Sequence, residues 1–183
     1  MENIWKKIED WLRNNEINIL NDLNKGGSTS DLNKLAKVLN INFSEDFKKS
    51  FLLHDGQKMD TSALLGSWYL LSNEEIQRQW NIMKKLWDKG VFAETNVLAD
   101  SQVKSEWWQP KWIPITHNGA GDLHCLDFDP TSKGKYGQVI LFEHMNESRK
   151  CIAPSFEDFL LQFANDLENG KYKIDNDGNI VRL

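Results

Sequence analysis

Carboxylate side chains gather between residues 112 and 144, in the run that begins WIPITHNGAGDLHCLDFDP. A pair of such groups can act as general acid and general base. Side chains two apart on a strand share a face, which would bring two of the carboxylates together. The competing interpretation, which we favour, is a solvated acidic surface beside Lys133 and Lys135, and a third is an acidic patch for a basic protein partner. The carboxylates are Asp122, Asp127 and Asp129, with the last two sharing a face, and Glu143.

Imidazole and thiol groups in the same region do not form a recognisable reactive site. His124 and Cys125 are adjacent on a predicted strand and therefore point to opposite faces. The sequence has no HExxH, paired CxxC or GxSxG pattern, which zinc sites and serine hydrolases commonly show. We therefore expect no metal, no cofactor and no catalytic residue. An enzyme that uses Asp122, Asp127 or His117 in a pocket is kept as an alternative.

The glycine-rich stretch 117–122, HNGAGD, separates two apolar runs. It lacks the GxxxxGK[ST] phosphate loop, does not complete GxGxxG, and joins two strands rather than a strand and a helix. A hairpin turn or a bulge explains the glycines without a ligand.

Helices are predicted from apolar residues at helical spacing and from capping residues. Residues 15–30 are polar and are predicted as a loop or hinge, and residues 91–111 are poorly periodic. Ser44 caps one helix, which Gly56 is placed to end, and Ser72 with Glu75 forms a capping box. The predicted helices cover 2–14, 30–39, a segment after Ser44, 73–88, and a segment that Ser155 caps and Gly170 ends.

Short apolar runs predict the strands, with short connections between most of them. Because consecutive strands with short links pair as neighbours, we expect an antiparallel meander. Helices first, then strands, then a closing helix indicate the α+β class, with a central, mostly antiparallel sheet. The predicted strands lie near 67–71, 112–116, 123–129, 138–144 and 149–153, with a small hairpin in 171–183.

The composition narrows the function classes. The chain has 183 residues, a formal net charge of −5, two cysteines and eight tryptophans. Clustered Lys and Arg are missing, so direct nucleic-acid binding is not expected. The beginning has no apolar signal region and no run is long enough to span a bilayer. We expect a cytoplasmic protein without membrane contact, formed by one domain.

Several ordered segments resemble the SMI1/KNR4 family, also called the SUKH superfamily. They are LAKVLNINFSEDFKKSFLLHDG, LLGSWYLLSNEEIQRQW, WIPI with its glycine-rich turn, CLDFDP, GKYGQVILFEH and SFEDFLLQFANDLENG. The likeness covers about 28–170, with helix 2–14 and hairpin 171–183 as additions. One departure is Phe43-Ser44, where the family usually has Leu-Pro.

The resemblance implies an α+β fold and a protein-binding role without catalysis. Bacterial members are associated with immunity to toxins, often nucleases, and fungal members act as scaffolds in cell-wall synthesis and signalling. We expect an immunity protein that occludes a basic, nuclease-type toxin, with a regulatory scaffold or adaptor as the alternative. Binding residues concentrate in loops and at strand ends. The expected contact residues are therefore Trp107, Trp108, His117, Asn118 and Asp122.

Overall fold

The computed structural model describes residues 1–59, 61–93 and 97–183. Helices occupy the first half of the chain, and one more follows the main run of strands. Within the described residues the helices are α1 (Glu2–Asn15), α2 (Ile17–Asp22), α3 (Thr29–Leu39), α4 (Glu45–Phe51), α5 (Asn73–Asp88) and α6 (Phe156–Glu168).

In the part of the chain that the structure describes, six strands form a central sheet in the order β1-β3-β4-β5-β6-β2. All its pairs are antiparallel except β2 with β6, which is parallel. This confirms the predicted α+β class and the meander β3-β4-β5-β6. The strands are β1 (Tyr69–Leu70), β2 (Leu98–Ala99), β3 (Trp112–His117), β4 (Leu123–Asp127), β5 (Gln138–Phe142), β6 (Ser148–Ala153), and the separate hairpin β7 (Tyr172–Ile174) and β8 (Ile180–Arg182).

The sheet has two covered faces, and the pairing register tells them apart. Leu123 is paired with Phe142, and His124 is paired with Leu141. Because paired residues share a face and neighbours in a strand alternate, Phe142 and His124 lie on opposite faces. Helix α6 packs on β5 and β6, while α5 packs on β3. All five residues of β4 are buried, as expected for a central strand covered on both sides.

Serine caps begin several helices, as predicted, but with different contacts. The Ser155 hydroxyl accepts a hydrogen bond from the Asp158 backbone N–H at 3.0 Å. The Ser72 hydroxyl accepts one from Glu75 at 3.3 Å, while the Glu75 carboxylate bonds Arg78. Of the two hydrogen bonds of the predicted capping box, the one from the Glu75 N–H to the Ser72 hydroxyl is therefore present, and the Glu75 carboxylate is engaged by Arg78 instead. The cap role of the Ser44 side chain is wrong: its Oγ is buried without a hydrogen-bond partner among the described residues.

Two elements lie where the sequence predicted neither a helix nor a strand. Helix α2 (Ile17–Asp22) has one buried residue, Ile19, which is too little apolar periodicity to reveal a helix. Strand β2 has only two residues and pairs with β6 from a distant part of the sequence. Tertiary contacts, which no local pattern records, stabilise both elements. Gly56 has a positive φ of 65°, but α4 already ends at Phe51, so the expected helix stop is also corrected.

The tail forms the expected hairpin, with Tyr172 paired to Arg182 and Ile174 to Ile180. Among the described residues, no helix combines the length and the apolar character needed to cross a bilayer.

Candidate protein-binding groove

A surface groove runs between α5 and the β3–β4 and β5–β6 turns, which lie side by side at one end of the β4–β5 pair. We call it the Trp107 groove. Its apolar part has a volume of about 450 Å³, and a more polar part of about 740 Å³ adjoins it. Trp107 and His144 line both parts. The apolar part is completed by Met83, Leu86, Val91, Phe92, Gly121 and Phe142, and the polar part by Asp122, Glu143, Met145, Asn146 and Glu147.

Asp122 joins the two turns that form one wall of the groove. Its Oδ1 accepts hydrogen bonds from the backbone N–H of His144 at 2.9 Å and contacts the His144 ring Nδ1 at 3.0 Å. Its Oδ2 accepts a bond from the Asn118 amide at 2.7 Å. Burial alone would raise the pKa of Asp122, but these bonds outweigh it and hold the pKa below its usual value. The group therefore carries a negative charge at neutral pH.

Gly121 lets these turns approach each other closely. Its φ is 103°, which L-residues with a side chain rarely adopt, and a Cβ there would lie 3.0 Å from the His144 ring. The glycine-rich stretch is thus explained by backbone geometry, as the sequence indicated.

Arg149 is fully buried and packs against the rings of two residues that line the groove. Its guanidinium carbon lies 4.6 Å from the centre of the Trp107 ring and 4.5 Å from that of Phe142. Nε donates to the Trp107 carbonyl at 2.8 Å, and Nη1 donates to the carbonyls of Asn146 and Ser148 at 2.7 and 2.6 Å. Burial lowers the pKa of Arg149 to about 10, so the side chain stays charged at neutral pH.

The groove exposes apolar side chains beside acidic ones. Met145 is 84% exposed and Val91 is 55% exposed. Asp122, Glu143 and Glu147 line the polar part. Apolar groups next to one sign of charge suit a protein segment that carries apolar and basic residues.

The structure brings together only some of the residues predicted to touch a partner. Trp107 and Asp122 line the groove, and Asn118 holds the Asp122 carboxylate. His117 stacks on Tyr69 and accepts a bond from the Gly119 N–H, apart from this set. Burial lowers the pKa of His117, with a smaller contribution in the same direction from Arg78.

Trp108 is the predicted contact residue that the structure corrects. It is fully buried and packs against Trp87 and Phe92, so it has no surface to offer a partner. Adjacent tryptophans in WW point in different directions, and only Trp107 reaches the groove. The contact role of Trp107, His117, Asn118 and Asp122 stays a prediction.

Sequence reasoning missed Arg149, Val91 and Met145. Arg149 stands on a predicted strand, where a charged residue normally indicates an exposed face. Val91 follows the end of α5 and Met145 lies in a turn, so no periodicity marks them.

The carboxylates considered for acid–base chemistry do not share one site. The expected solvated position of Asp127 is wrong, because its carboxylate is fully buried. It accepts hydrogen bonds from the Trp112 indole at 3.1 Å and the Gln138 amide at 2.9 Å, away from Asp122. Asp129 pairs instead with Lys104 at 2.6 Å. Within the described ranges, no three His, Cys, Asp or Glu side chains are placed to hold a metal ion.

Comparison with known proteins identifies a family. The model of the SMI1 / KNR4 family (SUKH-1) matches residues 26–162, which is about three quarters of the chain. The predicted resemblance, which covered about 28–170, is confirmed.

Several curated fungal proteins are similar over nearly the whole chain. "Cell wall biosynthesis/cell cycle regulator smi1" of Schizosaccharomyces pombe is 28% identical over 98% of this chain and 38% of its own length. "Glucan synthesis regulatory protein" of Neurospora crassa is 25% identical over 98% of this chain and 40% of its own length. "Cell wall assembly regulator SMI1" of Saccharomyces cerevisiae is 26% identical over 94% of this chain and 42% of its own length. The chain therefore spans about two fifths of the length of these relatives.

Proposed function

This chain belongs to the SMI1/KNR4 family (SUKH-1), and we propose that it is a regulatory scaffold domain that binds a protein partner. The observation that carries the proposal is its similarity, over 94% to 98% of its residues, to fungal proteins named as regulators of the cell wall or of glucan synthesis. The immunity role expected first has no support in the names of these relatives. The scaffold alternative is therefore the function proposed here.

The Trp107 groove is the surface proposed to bind the partner. Trp107 supplies a large ring that packs against the Arg149 guanidinium, which itself packs on Phe142. Rigid aromatic side chains are frequent anchors of protein interfaces, and an acidic rim speeds the approach of a basic partner. The proposed occupant is a segment with apolar residues for the Val91 side and basic residues for the Glu143 side.

A domain replacement tests this function. The region of the Saccharomyces cerevisiae regulator that matches this chain is replaced by the chain itself, and the glucan content of the cell wall is measured. We expect the wild-type chain to maintain the glucan content of the parent strain. Val91→Glu, which places a charge in the groove, should lower it.

Val38→Glu is the matched control, because Val38 is 50% exposed on α3, similar to the 55% of Val91. It should behave as the wild type. The proposal fails when normal amounts of the folded wild-type replacement do not maintain the glucan content. The assignment to the groove fails when Val91→Glu and Val38→Glu act alike.

A further inference from the structure

A second cleft, which we call the His124 cleft, opens on the other face of the sheet. It has a volume of about 280 Å³ and lies between β4, the edge of β6, α6 and the C-terminal hairpin. His124 points to the face opposite Phe142, so this cleft is separate from the Trp107 groove. Its volume suits one ring with a short substituent, since a cavity of about 150 Å³ already admits benzene.

Aromatic side chains, His124 included, make up half of the lining residues of the cleft. The Trp68 ring lies 4.0 Å from the His124 ring, centre to centre, and the Phe159 ring lies 5.1 Å from it. Phe163 and Tyr172 meet edge to face at 5.4 Å. A flat aromatic ligand could therefore make stacked or edge-to-face contacts with several rings of this cleft.

His124 presents a hydrogen-bond donor at this wall. The buried Thr116 hydroxyl accepts the His124 backbone N–H at 3.2 Å and lies 2.9 Å from Nδ1. Nδ1 is the one acceptor for the hydroxyl proton among the described residues, so Nδ1 is unprotonated and Nε2 carries the hydrogen. Burial lowers the pKa of His124 to about 3, which keeps the ring neutral. The residue is only 8% exposed, and the side-chain hydrogen bond found for it among the described residues is that of Nδ1 with Thr116.

Two cationic side chains, Lys171 and Arg182, lie beside the Asp166 carboxylate at the rim of the cleft. Asp166 is already bonded by Lys171 and Gln162, each at 2.7 Å from Oδ1. The Arg182 guanidinium lies 3.9 Å from Oδ2, which is too far for a hydrogen bond. Arg182 is therefore available to an anion at the rim.

We propose that the His124 cleft binds a small aromatic carboxylate. The ring lies against Trp68 and Phe159, and the carboxylate accepts hydrogen bonds from Nε2 of His124 and from Arg182. This site does not depend on the function proposed for the Trp107 groove. A cation is disfavoured, because Lys171 bonds Oδ1 of Asp166 and the Arg182 guanidinium lies beside Oδ2, so two positive charges already flank this carboxylate.

Titration of the full chain with phenylacetate, followed by ¹H–¹⁵N NMR, tests the proposal. We expect saturable shifts at His124, Phe159 and Tyr172, with a dissociation constant of about 1 to 5 mM, as for other small fragments. Phenylacetamide, which has the same ring and no charge, should bind about tenfold more weakly. Phenethylamine should bind more weakly still.

Two variants separate the cleft from other surfaces. Ile152→Trp fills the mouth and should abolish the shifts, whereas Leu161→Trp, a similarly exposed position on α6, should leave them unchanged. Arg182→Gln, at a side chain that is 66% exposed, should weaken phenylacetate about tenfold without affecting folding.

Three outcomes would overturn the proposal. The first is no saturable shift in the wild-type chain. The second is a set of shifts that maps elsewhere or survives Ile152→Trp in a folded protein. The third is equal or stronger binding of the amide or the amine, or an unchanged affinity for phenylacetate in Arg182→Gln.

Discussion

The Arg149 guanidinium lies on the Trp107 ring, 4.6 Å from its centre, and donates a hydrogen bond to the backbone carbonyl of the same residue. A buried cation without a carboxylate partner is costly, and here backbone carbonyls bind Nε and Nη1 while ring faces pack against the guanidinium. Nη2 has no hydrogen-bond partner among the described residues. The pair fixes the loop before β3 against β6. The shape of the Trp107 groove therefore depends on a residue that cannot itself touch a ligand.

Arg149→Met should destabilise the protein by about 2 kcal/mol, because the carbonyls of Trp107, Asn146 and Ser148 lose their donor while the apolar contact is kept. Arg182→Met, which changes an exposed arginine, should cost less than about 0.5 kcal/mol. Urea unfolding at pH 7 measures both. Equal effects of the two substitutions would contradict the supporting role of Arg149.

Asp127→Ala should lower the free energy of unfolding by about 3 kcal/mol, since it leaves the buried donors of Trp112, Gln138 and Asp129 without an acceptor. Asp129→Ala removes an exposed ion pair with Lys104 and should cost about 0.5 kcal/mol. The same unfolding assay compares them. A cost for Asp127→Ala no larger than that for Asp129→Ala would mean that this carboxylate is solvated after all.

Asp122→Asn should make the stability less sensitive to acid. The pKa of Asp122 is lower in the folded chain than in the unfolded chain, so its ionised form stabilises the fold above the unfolded pKa of about 3.9. That stabilisation is lost as the pH falls through the folded pKa. Urea unfolding from pH 5 to pH 2 should show the difference between wild type and variant shrinking. A difference in unfolding free energy that stays constant with pH would contradict the stabilising role of the ionised Asp122 carboxylate between the two turns.

His124 should stay neutral, with its hydrogen on Nε2, down to about pH 4. Because the unfolded chain protonates this ring below its ordinary pKa of about 6.5, stability should fall as the pH drops from there toward 3, by up to about 1.4 kcal/mol per unit. Long-range ¹H–¹⁵N NMR of the imidazole nitrogens reports the tautomer. A hydrogen on Nδ1, or titration near pH 6.5, would contradict the assigned hydrogen bond to Thr116.

Local patterns predicted the elements that have strong periodicity or clear capping residues. Helix α5, with its Ser72 cap, was predicted over 73–88 and forms over Asn73–Asp88. The hairpin around Gly121 was predicted from its glycines, and its turn geometry agrees. Strand β2 was missed because its two residues are strand-like only when β6 lies beside them.

The groove could be predicted only in part, because it is assembled from distant segments. Trp107 and Asp122 stood out as a surplus aromatic and a turn carboxylate. Trp108 was indistinguishable from Trp107 by type, and only the packing against Trp87 separates them. Arg149 and Val91 have no local signal, since their roles arise where α5, β5 and β6 meet.

The measurement that tests the central claim most directly is partner retention on the immobilised chain. The wild-type chain and the variants Val91→Glu and Val38→Glu are immobilised separately. Extracts of cells that naturally express the protein are passed over each, and the retained proteins are quantified by mass spectrometry. We expect a defined partner on wild type and Val38→Glu, with at least about a tenfold loss on Val91→Glu. Equal retention by all three, or no retained partner on the wild-type chain, would contradict a protein-binding role for the Trp107 groove.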